Sequence, residues 1–252
     1  MTTPATRFSD EKFSSADISK SLENKTTGAT TYKLEYFEVS GVGAISRDLL
    51  SYGGAKWENI LVKELPNNTG SPFSVYPALH VRTGDGVEIH LAETSVIEQY
   101  LAREFGLFGD NEWEELQIKM FHSNTLMFRD RLFMRVVWNF KDKMETALET
   151  FLTQSLPQWI NAHVFHLRNN GSNGHYVGNK LSLADILTAN TIDFIKCLYG
   201  NEKILAMIEK CPEIMKVKEN VDREPRLQTW RQSEEYKSIA ENTRKLYANT
   251  GI

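Results

Sequence analysis

The sequence has few of the residues that mark specialised classes of protein. Only two cysteines occur in its 252 residues, Cys197 and Cys211, and their spacing matches neither a zinc motif nor a C-x-x-C pair. We expect two reduced thiols in an intracellular protein, with a disulfide between them as the alternative. No apolar run approaches the roughly 20 residues that a membrane-spanning helix needs, so we expect no membrane partner.

An excess of positive charge is also absent. The formal net charge is −4 at pH 7, whereas domains that bind nucleic acid carry a clustered basic surface. We therefore expect no nucleic-acid partner. The six histidines show no spacing typical of a metal site, so we also expect no metal cofactor.

The sequence does have the composition of an ordinary globular protein. Hydrophobic residues make up 41% and charged residues 25% of it, enough for one large domain or two smaller ones. Residues 1–30 are polar, rich in serine and threonine, and without the apolar core of a signal peptide. We expect them to form a flexible arm or a short docked helix, and we expect a cytoplasmic protein.

Residues 31–108 show the pattern of a compact α/β domain. Alternation in "YKLEYFEV" predicts a strand, Gly41 and Gly43 a turn, and "AISRDLLSYGG" a helix. A second strand is predicted around Ile60–Val62, and a β-α-β crossover implies that the two strands are parallel. The Asp85-Gly86 pair predicts a hairpin between "ALHVR" and "VEIHLA".

A further helix is predicted from Thr94 onward. Its expected buried residues are Val96, Ile97, Tyr100 and Leu101.

Residues 112–252 show helical periodicity and no clear strand. A long helix begins at "WEELQIKMF", and a second one is expected to kink or restart at Pro157. In "LSLADILTANTIDFI", Ser182 and Asp185 form a variant capping box at the start of a helix, and we assign them a folding role only. Two more helices are predicted at "EKILAMIEKC" and "PEIMKVKENVDRE".

The order of elements and four strings resemble the cytosolic glutathione transferases of the tyrosine type, closest to the sigma-like classes (sigma, pi and mu). The strings, which cover about residues 32–230, are "YKLEYFEVSGVGAISR", "PFSVYPAL", "LAETSVIEQYLAREFGLFG" and "YVGNKLSLADI". The resemblance implies an α/β plus all-α fold. A thioredoxin-like, glutathione-binding domain at 31–108 would precede an all-helical domain at 112–252 that carries a hydrophobic-substrate site.

The resemblance also implies a catalytic residue, Tyr36. A thiol of ordinary pKa near 8.5 is only a few per cent thiolate at neutral pH, and the thiolate is the nucleophile. A tyrosine hydroxyl, of ordinary pKa near 10, stays protonated and can donate a hydrogen bond to the sulfur anion. Tyr36 matches the tyrosine that does this in the family. Ser40 is the alternative, as in the serine classes, and a plain sheet aromatic is the structural alternative for Tyr36.

The glutathione-binding residues implied by the resemblance lie at three further places. A cis peptide before Pro77 would present the main chain of Tyr76 to the cysteinyl part of glutathione. Glu93 and Thr94 begin a helix whose N-terminus would receive the γ-glutamyl carboxylate, with Glu93 taking its ammonium group. Lys63 and Trp57, near the second strand, are candidates for the glycyl end.

Four positions depart from the family pattern. Thr94 replaces the usual serine, which is a conservative change. Ser40 and Val42 stand where the turn commonly carries an arginine or two, and Val75, itself among the implied glutathione-binding residues, stands where glutamine is frequent. These changes remove hydrogen-bond donors to glutathione. They favour the alternative of a non-catalytic ligand-binding or structural member of the same fold.

The function implied is that of an enzyme, a glutathione transferase that conjugates glutathione, its co-substrate, to electrophilic hydrophobic molecules in detoxification. Peroxide reduction and isomerisation of a prostanoid-type endoperoxide stay open as alternatives. Phe128, Leu132 and Arg135 are candidates for lining the hydrophobic-substrate site, and a homodimer is expected. A thiol oxidoreductase is set aside because no cysteine lies near the first helix.

Overall fold

The computed structural model describes residues 13–23, 30–63, 71–198 and 200–247. The chain forms two compact units, Met1–Phe105 and Gly106–Ile252, called here the N-terminal unit and the C-terminal unit. The division falls just before the expected linker between 108 and 112. In the described part of the chain, no helix is long and apolar enough to cross a membrane.

The N-terminal unit is a small mixed sheet with helices. Its elements are α1 (Ser15–Glu23), β1 (Thr31–Phe37), α2 (Gly43–Tyr52), β2 (Lys56–Val62), β3 (Ala78–Arg82), β4 (Glu88–Ala92) and α3 (Thr94–Glu104). The sheet has the strand order β2-β1-β3-β4. The β1–β2 pair is parallel and the other two pairs are antiparallel, which confirms the predicted crossover and the predicted hairpin.

The core of this unit comes from alternate strand residues and one stripe of each packed helix. Leu34 and Leu79 from the sheet, Leu49 from α2, and Ile97 and Leu101 from α3 are fully buried.

The expectation that Val96 is buried was wrong, because half of its surface is exposed. The buried stripe of α3 runs through Ile97, Glu98, Leu101 and Ala102. Val96 precedes that stripe by one residue, about 100° around the helix. Tyr100 is only half-buried.

Part of the N-terminal region is a helix, α1. Its Ser21 is buried and donates a hydrogen bond from Oγ to Asp85 Oδ1 at 2.8 Å, which ties α1 to the β3–β4 hairpin. Hydrogen bonds from Thr83 and Ser21 hold the pKa of Asp85 below its usual range. Residues 1–12 and 24–29 of the expected arm lie outside the described residues.

The C-terminal unit is built of helices in its described residues. They are α4 (Glu112–Leu132), α5 (Lys141–Thr150), α6 (Leu156–Asn169), α7 (Leu183–Ile195), α8 (Asn201–Ile208), α9 (Pro212–Asp222), α10 (Pro225–Gln232) and α11 (Glu234–Tyr247). π-Helical turns at Phe133–Val137 and Phe151–Ser155 follow α4 and α5. The chain restarts at α6 with Pro157 in the first turn, where proline is well tolerated.

Helix α7 forms the centre of this unit. It packs against α4 and α9, and its residues are buried apart from the half-buried Asp193. Its start is the predicted capping box: Asp185 Oδ2 accepts from the backbone N–H and the hydroxyl of Ser182, both at 2.8 Å. Asp185 Oδ1 accepts from Tyr176 N–H at 2.9 Å.

Both cysteines are free thiols, as expected. Burial raises the thiol pKa of Cys197 and of Cys211 above the ordinary value. Neither thiol is therefore an activated nucleophile.

Candidate functional site

Tyr36 lies next to the C-terminal end of β1. Its side chain is directed toward the core, with 7% of the residue exposed. The hydroxyl oxygen accepts a hydrogen bond from the backbone N–H of Val42 at 3.1 Å. The phenol group therefore lies against the turn that joins β1 to α2.

That turn approaches Tyr36 so closely that two positions require glycine. Gly41 has φ of +41°, and a Cβ atom there would lie 2.3 Å from the Tyr36 hydroxyl oxygen. A Cβ atom at Gly43 would lie 2.5 Å from the Tyr36 ring. Because glycine has no Cβ atom, the backbone can close over the tyrosine and bring the Val42 N–H to its oxygen.

A buried arginine, Arg47, stabilises the turn through hydrogen bonds. Its guanidinium donates to the carbonyl oxygens of Val39 at 2.7 Å and Phe37 at 2.9 Å, and to Asn59 Oδ1 at 3.1 Å. The guanidinium carbon lies 5.5 Å from the centre of the Tyr36 ring. No role was predicted for Arg47 from the sequence, yet it fixes the backbone on which Tyr36 depends.

The strand register places three predicted site residues in one row across the sheet. Glu35 of β1 pairs with Ala78 of β3, which pairs with Ala92 of β4. At this end of the sheet, the residues adjacent to Glu35, Ala78 and Ala92 are all predicted site residues. They are Tyr36, Pro77 and Glu93. The fold therefore assembles residues that lie far apart in the sequence.

The segment before β3 has the backbone that the resemblance implied. The Tyr76-Pro77 peptide bond is cis, and Pro77 is buried while Tyr76 is half-buried. Ser71 Oγ donates to the carbonyl oxygen of Val75 at 2.8 Å, which orders the loop before the proline. The Tyr76 ring packs edge-on against Phe37, with centroids 5.6 Å apart.

Glu93 adopts an unusual backbone conformation directly before α3. Its φ of +70° and ψ of +115° lie outside the regions that a non-glycine residue commonly adopts. Such strain is concentrated at functional sites in proteins. The Glu93 side chain is exposed and does not cap α3. The helix N-terminus at Thr94 suits a carboxylate and Glu93 suits an ammonium group, so together they can bind an amino-acid end.

Lys63 and Trp57 lie at opposite ends of β2. Val62 pairs with Phe37, so Lys63 follows at the same end of the sheet as Tyr36, and its side chain is exposed. Trp57 pairs with Tyr32 at the other end.

Comparison with known proteins identifies related proteins for both units. Residues 130–234 match the family model for the glutathione S-transferase C-terminal domain. Probable glutathione S-transferase 7 of Caenorhabditis elegans is 29% identical in an alignment of 209 residues that covers 79% of this chain and 94% of that relative. Prostaglandin synthase D of Nilaparvata lugens is 26% identical with a TM-score of 0.69, covering 81% of this chain and 98% of that structure. Together these matches support a member of the cytosolic glutathione transferase family.

Another solved structure has a similar fold. It is a monomeric glutathione S-transferase of the hookworm Necator americanus, with 25% identity and a TM-score of 0.67, and the match covers 81% of this chain and 97% of that one. The expected fold of a glutathione transferase, a thioredoxin-like unit followed by a helical one, is confirmed.

The three candidates for the hydrophobic-substrate site of this glutathione transferase lie in different surroundings. Phe128 is buried and stacks on Trp159 with centroids 4.5 Å apart, and Leu132 is fully buried. Arg135 is exposed in the π-helical turn after α4. Their part in substrate binding stays a prediction.

The described residues of this glutathione transferase contain no group of three or more His, Cys, Asp or Glu side chains that could hold a metal ion. A buried histidine, His163, instead hydrogen-bonds Tyr176 at 2.6 Å, and burial lowers its pKa to about 3. It is a neutral packing residue.

Proposed function

We propose that the chain is a glutathione transferase in which the Tyr36 hydroxyl stabilises the thiolate of bound glutathione. The observation that carries this proposal is the position of Tyr36, Pro77 and Glu93 side by side at one end of three paired strands, next to the paired residues Glu35, Ala78 and Ala92. We expect the enzyme to be cytoplasmic, as the glutathione transferases that it resembles are.

The hydroxyl of Tyr36 is the proposed donor to the sulfur. Stabilising the thiolate by one pKa unit requires about 1.4 kcal/mol of preferential binding. Donation from the Val42 N–H to the Tyr36 oxygen polarises the hydroxyl, since linked hydrogen bonds strengthen one another. This backbone donor supports the proposal even though Ser40 and Val42 replace the arginines common at the turn.

The remaining groups suit the ends of the tripeptide. Tyr36 and Glu93 are separated by two strand spacings, roughly 10 Å, which a γ-glutamyl-cysteinyl segment can bridge. We infer that Glu93 and the α3 N-terminus at Thr94 bind the γ-glutamyl group, and that the main chain at Val75 and Tyr76 binds the cysteinyl part. Lys63 would meet the glycyl carboxylate.

The second substrate is proposed to be an electrophilic hydrophobic molecule. Of the three candidates for its site, Arg135 is exposed and can reach a ligand without repacking, whereas Phe128 and Leu132 are buried. Peroxide reduction uses the same thiolate and stays an alternative activity.

The direct test is turnover of glutathione with an aryl halide by the purified chain. We expect measurable conjugation above the uncatalysed rate. If calorimetry shows that glutathione binds but neither an aryl halide nor a hydroperoxide is turned over, the non-catalytic alternative is favoured. The absence of the family's usual hydrogen-bond donors at Ser40, Val42 and Val75 supports that alternative. Neither binding nor turnover would overturn the proposal.

A substitution at Gly41 tests the contact between the turn and Tyr36. Gly41→Ala is expected to lower kcat/KM about tenfold, because its Cβ would lie 2.3 Å from the Tyr36 oxygen and displace it. Gly86→Ala is the matched control, since Gly86 also has positive φ (+87°) but a Cβ there meets no atom within 4 Å. Equal loss in both variants would show that backbone strain alone is responsible.

We also propose that the enzyme is a homodimer. One face of α4 carries Trp113, Leu116, Met120 and Met127, each more than half exposed. Their spacing of three, four and seven residues aligns them along the helix. An apolar stripe of this kind is typical of a protein interface, and a second copy of the chain is its proposed partner.

Sedimentation velocity tests the homodimer. The native chain is expected to be dimeric at micromolar concentration, and Met120→Glu is expected to raise the dimer dissociation constant at least about tenfold because it places a charge in the stripe. Leu246→Glu is the control, being equally exposed but on α11. A native chain that sediments as a monomer would contradict this proposal.

A further inference from the structure

The face of the N-terminal sheet opposite Leu34 and Leu79 carries two histidines in direct contact. His80 of β3 pairs with His90 of β4, and their Nδ1 atoms lie 2.8 Å apart. The rings meet edge-on, with centroids 4.7 Å apart and an interplanar angle of 85°. Both residues are half-buried. In this contact one Nδ1 atom must carry the hydrogen and the other must accept it.

A carboxylate of β1 decides which histidine is the acceptor. His80 Nε2 lies 3.3 Å from Glu35 Oε1, and the hydrogen bond from His80 holds the pKa of the Glu35 carboxyl below its usual range. Glu35 is therefore ionised at neutral pH and can only accept a hydrogen bond. Because His80 Nε2 must be the donor to it, neutral His80 has its free lone pair at Nδ1 and accepts there from His90.

The contact between the two rings tolerates one added proton and is broken by two. The first proton can bind at Nε2 of His90, which leaves the hydrogen bond between the Nδ1 atoms intact. A second proton has to bind at Nδ1 of His80. Both Nδ1 atoms then carry hydrogens, and two cationic donors at 2.8 Å repel each other.

The other charged groups on this face of the sheet are arranged in pairs of opposite sign. Lys33 of β1 lies 3.2 Å from Glu58 of β2. Arg82 of β3 lies 3.7 Å from Glu88 of β4. Glu35 is the carboxylate that lies against the histidines, and its single charge can offset only one of the two positive charges.

The histidine pair lies close to the proposed glutathione-binding residues. It is two register positions away from the paired residues Ala78 and Ala92, which directly adjoin Pro77 and Glu93. Two strand residues span roughly 7 Å. The contact between the histidines therefore helps to set the separation of β3 and β4 where Pro77 and Glu93 lie side by side.

We propose that the histidine pair His80–His90 makes glutathione binding depend on pH. With no more than one added proton, the pair holds β3 and β4 at the spacing in which Pro77 and Glu93 bind the tripeptide. The second proton separates the strands and weakens binding. This inference rests on the proposed glutathione site and adds the regulation of that site.

The direction of the dependence follows from the number of protons that each state binds. Strands in contact accommodate one added proton on the pair, whereas in separated strands each imidazole can take one. The ordinary pKa of an imidazole is near 6.5. Affinity is therefore full above that value and falls as the pH is lowered through it. For one extra proton the loss is at most about tenfold at pH 5.5.

Calorimetric titration with S-methylglutathione between about pH 7.5 and 5.5 tests the proposal. This analogue has no thiol, so ionisation of the sulfur cannot contribute to the result. The dissociation constant of native protein is expected to rise at least about threefold over this range. His90→Gln keeps a hydrogen-bonding side chain that takes up no proton, so it should bind as native protein does at pH 7.5 and lose most of the rise at pH 5.5.

His166→Gln is the control, because His166 is an exposed histidine on α6 and its variant should keep the native rise. The same rise in native protein and in His90→Gln would overturn the inference. Native protein that binds S-methylglutathione at pH 7.5 with an affinity independent of pH would overturn the inference alone. Absence of binding at pH 7.5 would overturn the proposed glutathione site together with its regulation.

NMR titration of the imidazole signals is a readout that needs neither glutathione nor a variant of normal stability. In native protein the two histidines of the pair should take up their protons in two separate steps, because the first proton opposes the second. The signals are assigned from the spectrum of His90→Gln or, if that variant does not fold, of His80→Gln. A single step common to both histidines would overturn the inference.

Discussion

Tyr36→Phe is expected to lower kcat/KM for conjugation of glutathione to an aryl halide at least about tenfold, which corresponds to about 1.4 kcal/mol of transition-state stabilisation. The substitution removes one hydroxyl and keeps the ring that packs against Gly41, Gly43 and Arg47. The free energy of unfolding should fall by no more than about 1 kcal/mol, because the Val42 N–H loses its acceptor. The loss should appear in the chemical step, because the hydroxyl interacts with the sulfur anion.

Tyr100→Phe is the matched control for this prediction. Tyr100 lies in the same unit and hydrogen-bonds Tyr32. It belongs to α3, but it lies well beyond Thr94, at which the helix end assigned to glutathione begins. The Tyr100→Phe variant should keep kcat/KM within about twofold of the native value. Equal rates in native protein and Tyr36→Phe would shift the role to Ser40, and Ser40→Ala would then be the variant that loses activity.

Asp185→Ala is expected to lower the free energy of unfolding of the C-terminal unit by about 3–5 kcal/mol. Asp185 is fully buried and accepts hydrogen bonds from Tyr176 and from the backbone and hydroxyl of Ser182. Alanine would leave three buried donors unpaired at the start of α7. Since α7 packs against α4 and α9, the loss should affect the whole unit.

Urea unfolding followed by tryptophan fluorescence measures this effect, because Trp113, Trp138, Trp159 and Trp230 all lie in the C-terminal unit. Asn111→Ala is the control: it removes the exposed cap of α4, where the Asn111 side chain accepts from Glu114 N–H at 3.0 Å, and should cost about 1 kcal/mol. If Asp185→Ala does not fold, Asp185→Asn gives a smaller measurable loss. A loss no larger than that of the control would contradict the prediction.

Local chemistry made parts of the fold predictable from the sequence. The Asp85-Gly86 pair is a turn signal that acts over a few residues, and the hairpin forms there. Ser182 and Asp185 satisfy each other's backbone groups whatever surrounds them, so the capping box could also be predicted.

Which residues of different strands lie side by side was not predictable from local sequence signals. The row of Tyr36, Pro77 and Glu93 results from pairing between strands that are distant in the sequence, and only the resemblance brought these residues together beforehand. Strand alternation tells which face a residue occupies, but it does not specify its partner on the next strand.

Arg47 and the last two helices were missed for different reasons. An arginine between Ile45 and Leu49 is usually expected at the surface, and its burial depends on carbonyl groups that only the folded turn presents. Helix α11 buries Ile239, Thr243 and Tyr247 at a spacing of four residues, a periodic signal that was overlooked among its many charged residues. Helix α10 is rich in polar residues, so its apolar periodicity is weak. The signal available was Pro225, which commonly begins a helix.

The central claim, that the Tyr36 hydroxyl stabilises the glutathione thiolate, is tested most directly by the pKa of the bound thiol. Ultraviolet absorbance of the thiolate would be followed with pH in native protein and in Tyr36→Phe, both saturated with glutathione. In native protein the pKa should lie at least about one unit below the ordinary thiol value near 8.5, and in the variant it should return toward that value. The same pKa in both proteins would contradict the account.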